Sequence, residues 1–203
     1  AKYLNEDFYS YDTLVAENFY KMDNLEAEKK IYINLSKRGE AFKWYSTKQL
    51  VRILVREEKK DKAIKVLSNA YKDLVDKDAY ETFDFAEFLQ NNEKFEESIP
   101  YYTEIIESMK KGHPLYAEAT DRRGVAYERI GKWDKAEKDF LTSLKANPNQ
   151  PYVINYLAYS WIEQGVKIEK SLNMLEKANR LKSNDPFIID SLGWALFKLE
   201  RYK

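Results

Sequence analysis

Apolar side chains recur three and four residues apart along almost the whole chain, the spacing that lays them on one face of a helix. The breaks are few: Lys111-Gly112-His113-Pro114, Asn147-Pro148-Asn149-Gln150-Pro151 and Ser183-Asn184-Asp185-Pro186. In each, a proline stands where a new helix should begin, the first-turn position that tolerates a residue without an N–H. Asp185 ahead of Pro186 predicts an N-cap, and Asp78 with Glu81 three residues on predicts a capping box. No linker or composition shift divides the chain, so residues 1–203 are expected to form a single array.

The pattern also repeats. Residues 117–150 carry Gly124, Tyr127, Gly131, Trp133, Ala136, Phe140 and Pro148. Residues 151–185 follow with Leu157-Ala158, Trp161, Gly165, Ile168, Ser171, Leu175 and Ala178, with one residue inserted after Gly165, and 186–203 with Leu192-Gly193, Leu196 and Tyr202. Towards the N-terminus, 79–116 carries Phe85-Ala86, Leu89, Phe95, Ser98 and Tyr102; 44–78 carries Leu50-Val51, Leu54, Ala63, Leu67 and Ala70. The first unit, 9–43, is the most degenerate, with Ala16, Phe19, Leu25, Ala27 and Ile31. Small residues let two helix axes approach, and the large ones fill the volume that remains. The period is about 34 residues, and the order Leu-Gly-x-x-Tyr, Ala-x-x-x-Phe, Pro resembles the tetratricopeptide repeat, most closely in the fourth unit. The resemblance implies an all-α fold, an α-solenoid (a right-handed superhelix) of about five and a half antiparallel helix pairs, with 186–203 incomplete.

Both ends read as cut. Residues 1–8 read as a lead-in, the tail of an earlier helix, and Arg201-Tyr202-Lys203 falls where a second helix should start. The last helix, about 187–199, carries Phe187, Ile188, Ile189, Leu192, Trp194, Leu196 and Phe197 with no helix after it. An apolar patch of that kind marks an interface or an edge, so the natural protein is expected to continue and this chain to self-associate through 187–199.

The 3.6-residue period also indicates which side of each first helix looks away from its pair. That face is expected to carry Tyr45, Lys48, Arg52, Val55 and Arg56 in the second unit, Tyr80, Phe83, Glu87, Gln90 and Asn91 in the third, and Glu118, Asp121, Val125, Glu128 and Arg129 in the fourth. The fifth unit adds Tyr152, Asn155, Tyr159, Ile162 and Glu163, and the sixth Phe187, Asp190, Trp194, Phe197 and Lys198. The resulting groove is basic at its N-terminal end, acidic in the middle and aromatic at its C-terminal end. Aromatic anchors with a polar rim suit a bound protein segment; the same aromatics, Tyr159, Trp194 and Phe197, also suit packing between neighbouring helices. The stripe Lys48, Arg52, Arg56 suits either an acidic peptide or a plain solvated helix face. Chaperone-binding members of the family hold a carboxylate with Lys, Asn and Arg on adjacent units. Here Arg52 and Asp84 stand where the Asn residues belong, so the resemblance does not extend to a chaperone-tail receptor.

Composition narrows the chemistry. Lys and Arg number 34, as do Asp and Glu, so the zero net charge argues against a general nucleic-acid binder. There is no cysteine and one histidine, His113, whose Gly-His-Pro setting predicts a solvated loop residue. No apolar run approaches the ~20 residues of a membrane span, and no glycine-rich phosphate loop occurs. No catalytic residue, metal ligand or cofactor is expected.

The C-terminal run from Asn155-Tyr156-Leu157-Ala158-Tyr159-Ser160-Trp161 through Asp185-Pro186-Phe187 to Leu192-Gly193-Trp194-Ala195-Leu196-Phe197 is similar to proteobacterial tetratricopeptide proteins. Some of these are envelope lipoproteins that act as adaptors for a carboxyl-terminal processing protease. The resemblance implies a bacterial scaffold or adaptor, with a lean to the periplasm or envelope, whose partner is a protein or peptide. The alternative is a helical regulatory or substrate-recruiting region of a larger enzyme or of a protease–adaptor complex.

Overall fold

The structure, a computed structural model, describes residues 11–200. The lead-in expected at residues 1–8 and the repeat position Tyr202 lie outside the described residues. Eleven helices and no strand occur among the described residues, and the chain forms two compact units that divide between Glu93 and Lys94. The first holds α1 (Tyr11–Lys21), α2 (Leu25–Ser36), α3 (Glu40–Arg56), α4 (Lys60–Asp73) and α5 (Ala79–Asn91). The second holds α6 (Phe95–Ser108), α7 (Pro114–Arg129), α8 (Trp133–Ala146), α9 (Pro151–Glu163), α10 (Ile168–Leu181) and α11 (Pro186–Lys198). The fold is all-α, built from antiparallel helix pairs of the solenoid type.

The helix ends are fixed by short-range chemistry. Asp78 and Glu81 form the predicted capping box, with Asp78 Oδ1 accepting from the Glu81 N–H at 2.8 Å and Glu81 Oε2 accepting from the Asp78 N–H at 3.0 Å. Asp185 caps α11 by accepting from the N–H groups of Phe187 and Ile188 at 3.2 and 3.4 Å. His113 lies in the loop before α7 as expected, but it is half-buried and not fully solvated. It is the N-cap of α7, and its Nδ1 accepts from the Leu115 N–H at 3.2 Å.

The turn that ends each first helix repeats through the chain. Asp23, Glu58, Glu93, Gly131, Gly165 and Glu200 all take positive φ, between 53° and 75°. Around four of them, Asp23, Glu58, Gly131 and Gly165, the next N–H reaches back over the turn, to the carbonyls of Phe19, Leu54, Tyr127 and Trp161 at 2.8–2.9 Å. This closing pattern satisfies carbonyls that the helix itself leaves open. Glycine enters the left-handed region freely, whereas an L side chain there costs roughly 1–2 kcal/mol. The inserted residue after Gly165 shows as well: α8 begins two residues after Gly131, but α10 begins three after Gly165.

In the second unit the repeat positions make the seam. Ala136, Phe140, Val153, Leu157 and Trp161 form one buried cluster; Ala158, Ile162, Leu172, Leu175 and Ala195 form another. Ala178 joins Ile154 and Ile188 in a third. Tyr102 is buried in α6, Tyr127 packs half-buried against the first cluster, and Pro148 lies exposed in the loop after α8. In the first unit Ala63, Leu67 and Ala86 are buried, and the Tyr71 ring stacks on Phe85 at 4.4 Å between α4 and α5.

Gly124 marks the closest approach. A Cβ placed there would stand 2.8 Å from Phe140 Cε1 and 3.3 Å from Asp139 Cβ. Phe140 is fully buried and cannot swing aside. Overpacking of this kind costs ~1–3 kcal/mol, against ~1 kcal/mol gained from alanine's helix propensity. Gly124→Ala is therefore expected to destabilise by about 1–2 kcal/mol in urea melts; a neutral or stabilising result would mean that α7 and α8 are not this close. Gly193, at the corresponding position of α11, is exposed with open space where its Cβ would be. Leu192 and Leu196 pack half-buried on the second cluster, while Phe187, Ile189 and Phe197 are exposed.

Candidate functional site

In the first unit the basic stripe on α3 is already engaged. Arg52 and Arg56 donate to the two oxygens of Glu28 at 3.1 and 2.8 Å, and Glu28, on α2, is 0% exposed. Arg56 also reaches Asp23 at 2.9 Å, and both guanidinium groups lie over the Tyr20 ring, at 5.2 and 4.6 Å. Lys48 pairs with Asp84 of α5, the residue standing at an expected Asn position. A buried carboxylate needs such partners because desolvation without them is costly. Arg52 and Arg56 therefore compensate the buried Glu28, while Lys48 pairs with the half-exposed Asp84. Of the other residues expected on this face, Tyr45 packs edge-on against Tyr32 at 6.3 Å, Phe83 is buried, Glu87 is half-buried and Tyr80 is exposed.

The second unit holds an open cavity of about 800 Å³ lined from α7, α9 and α11, with Trp133 at the start of α8. Eight of the residues expected on the groove face meet there, among them Tyr152, Asn155, Tyr159 and Asp190. The other four are Glu128, Arg129, Glu163 and Phe187. Asp121, Trp194 and Phe197 are not among the lining residues, and Ile162 is buried in the core. Sequence reasoning passed over Tyr156, Ser160 and Gln164. Tyr156, three residues before Tyr159 and four after Tyr152, lies on the same helical stripe, so its spacing was a usable signal.

Hydrogen bonds hold the walls in place. The Tyr156 hydroxyl donates to Glu128 Oε2 at 2.9 Å, and burial, helped by that carboxylate, pushes its phenol up to about 12. The Tyr152 hydroxyl donates to Asp185 Oδ2 at 2.8 Å, and the Lys182 ammonium sits 4.1 Å above its ring. Trp194 Nε1 donates to Glu163 Oε1 at 2.6 Å, tying α11 to α9, and its ring stacks on Phe197 at 5.2 Å. The Oδ1 of Asn155 is buried and has no hydrogen-bond partner among the described residues.

Asp121, on the same helix as Glu128, has its carboxyl pushed up to about 6 by burial, with Arg122 opposing and Glu118 adding to the shift. Its unfolded-state value is near 3.8, so between those values the folded chain holds more protons than the unfolded one. Stability from this group is thus present at low pH and lost as pH rises from about 4 to about 6, on the order of 1–3 kcal/mol for a partly buried side chain. Relative to the parent, Asp121→Asn is expected to gain that much between pH 4 and 6.5 in parallel urea titrations. A difference that does not change with pH would contradict the shift.

Two further facts bound the chemistry. No helix among the described residues is long and apolar enough to cross a membrane, and no group of three or more His, Asp or Glu among them is placed to hold a metal ion.

The tetratricopeptide repeat family model matches residues 117–150, the α7–α8 pair. A tetratricopeptide repeat-containing protein of Pseudomonas aeruginosa is 26% identical over 113 residues, 56% of this chain. The chain spans only 18% of the length of that relative. Among solved structures, BtubC from P. vanneervenii superposes with a TM-score of 0.70 at 13% identity, covering 89% of this chain and 83% of that one. MamA from Desulfovibrio magneticus RS-1 gives 0.65 at 11%, covering 86% and 95%. YrrB, described as a tetratricopeptide protein with an unusual peptide-binding site, gives 0.60 at 16%, covering 87% of each. Residues 117–150 are thus a tetratricopeptide repeat, set in a chain whose helices carry the fold of tetratricopeptide-repeat proteins.

Proposed function

We propose that the chain is a non-enzymatic protein-interaction scaffold that holds a partner's polypeptide segment in the cavity between α7, α9 and α11. The observation that carries this reading is the cavity itself. It is large enough for several side chains, its walls are tyrosines fixed by hydrogen bonds, and Tyr159 and Phe187 stand 40% and 73% exposed in its lining. Exposed aromatic anchors in a preformed hollow are the usual core of a binding hot spot. YrrB, which shares the fold, is described as binding peptide. The Pseudomonas relative, a tetratricopeptide repeat-containing protein, supports a bacterial origin for such a scaffold.

The test is selection of binders from a displayed random dodecapeptide library against the whole chain. For the best binder, Tyr159→Ala is expected to weaken binding by about 2 kcal/mol, some thirtyfold, with an unchanged melting temperature. Phe187→Ala should act in the same direction. Trp194 is a poorer probe, because its bond to Glu163 also holds α11 in place. Binders indifferent to both Tyr159 and Phe187 would place the interaction elsewhere and end this reading.

A further inference from the structure

The charges around the cavity are not balanced. Three carboxylates line it, Glu128, Glu163 and Asp190, against one cation, Arg129. Glu128 is held by the Tyr156 hydroxyl and by Arg129 at 3.5 Å. Among the described residues Glu163 receives only the neutral Trp194 N–H, and no cation among them is paired with it. Asp190 has no hydrogen bond or ion pair among the described residues, and it is exposed. Two cations of the described residues are engaged elsewhere: Lys182 lies against Tyr152 and Asp185, and Lys198 sits 4.7 Å over the Trp194 ring. Two carboxylates from adjacent helices, neither paired with a cation among the described residues, thus share a hollow with the exposed rings of Tyr159 and Phe187.

Building on the scaffold reading above, we propose that the cavity recognises its partner segment through an arginine side chain. The planar guanidinium stacks on Tyr159 and Phe187 and donates to Asp190 and Glu163. Guanidinium is less strongly hydrated than ammonium, stacks on aromatic faces and offers paired donors to carboxylates, so it matches this set better than lysine does. The unit already places cations over rings, at Tyr152 and at Trp194.

Three acetylated, amidated pentapeptides, Ala-Leu-Xaa-Phe-Ala with Xaa as Arg, Gln or Glu, test the proposal by amide chemical-shift titration of the whole chain. The Arg peptide is expected to shift Tyr159, Glu163 and Asp190 saturably and to bind at least tenfold more tightly than the Glu peptide. Raising the salt should narrow that gap. The double variant Glu163→Gln, Asp190→Asn should reduce the preference below threefold; the amide oxygen that Glu163→Gln introduces can still accept from Trp194. Equal binding of all three peptides at these residues, or tighter binding of the Glu peptide, overturns the arginine assignment while the scaffold reading stands. No shift at the cavity residues with any of the three overturns both.

Discussion

Arg123→Ala is expected to cost the second unit about 3–5 kcal/mol. Arg123, on α7, donates from Nε and Nη2 to the two oxygens of Asp139 on α8, at 2.7 and 2.9 Å, and from Nη1 to Thr103 Oγ1 on α6 at 3.0 Å. One side chain thus joins three helices. Asp139 is 5% exposed. Without the guanidinium its carboxylate stays buried with no counter-charge, and that uncompensated charge dominates the cost. The loss is large beside the 5–15 kcal/mol that typically holds a domain folded. Replacing both partners by apolar residues of similar volume, Arg123→Met with Asp139→Leu, is expected to recover most of it. Urea unfolding of the three proteins decides the point. A single variant costing under about 1 kcal/mol would mean that water reaches Asp139 freely.

Trp161→Ala is expected to cost a similar ~3–5 kcal/mol. Trp161 is 1% exposed and packs with Ala136, Phe140, Val153 and Leu157. Truncation removes the transfer energy of the indole and leaves a hole that close-packed neighbours cannot fill. The ring also does polar work: Nε1 donates to Glu137 Oε1 at 2.8 Å, and the ammonium of Lys167 lies 4.1 Å over its face. Trp161→Phe separates the two contributions, keeping most of the volume and losing the N–H. Phe is expected to cost well under half of what Ala costs. Equal costs would assign the stability to the Glu137 bond and not to packing.

The seam and its close approach were legible because they rest on residue size at fixed spacing. Gly124, Ala136, Phe140, Ala158, Trp161 and Ala178 each sit where a 34-residue period requires a small or a large side chain. The cavity face was legible in part for the same reason, since Tyr152, Asn155, Tyr159 and Asp190 follow from turning α9 and α11. Charge partners were not. Arg52 and Arg56 lie on the outward face of α3, and nothing in their own spacing tells that Glu28, more than twenty residues earlier, meets them. A signal existed on the acidic side. Glu28 falls in the buried stripe of α2 with Tyr32 and Leu35, and Asp139 in that of α8 with Ala136, Phe140 and Ser143. A carboxylate at a core position announces a basic partner, although the period cannot say from which helix it comes.

Within each unit a helix packs chiefly on those next to it in sequence, and in the second the longer reach is that of α11 to α9. Ordering such a unit closes only short loops, and chains with that property fold in microseconds to milliseconds. The same locality lets parts open without the whole. Under native conditions α7 and α8, locked by the Gly124 contact and the Arg123–Asp139 pair, should retain their amide protons longest. Helix α11, whose main contacts within its unit are to α9 and α10, should surrender its protons earlier than α7 and α8.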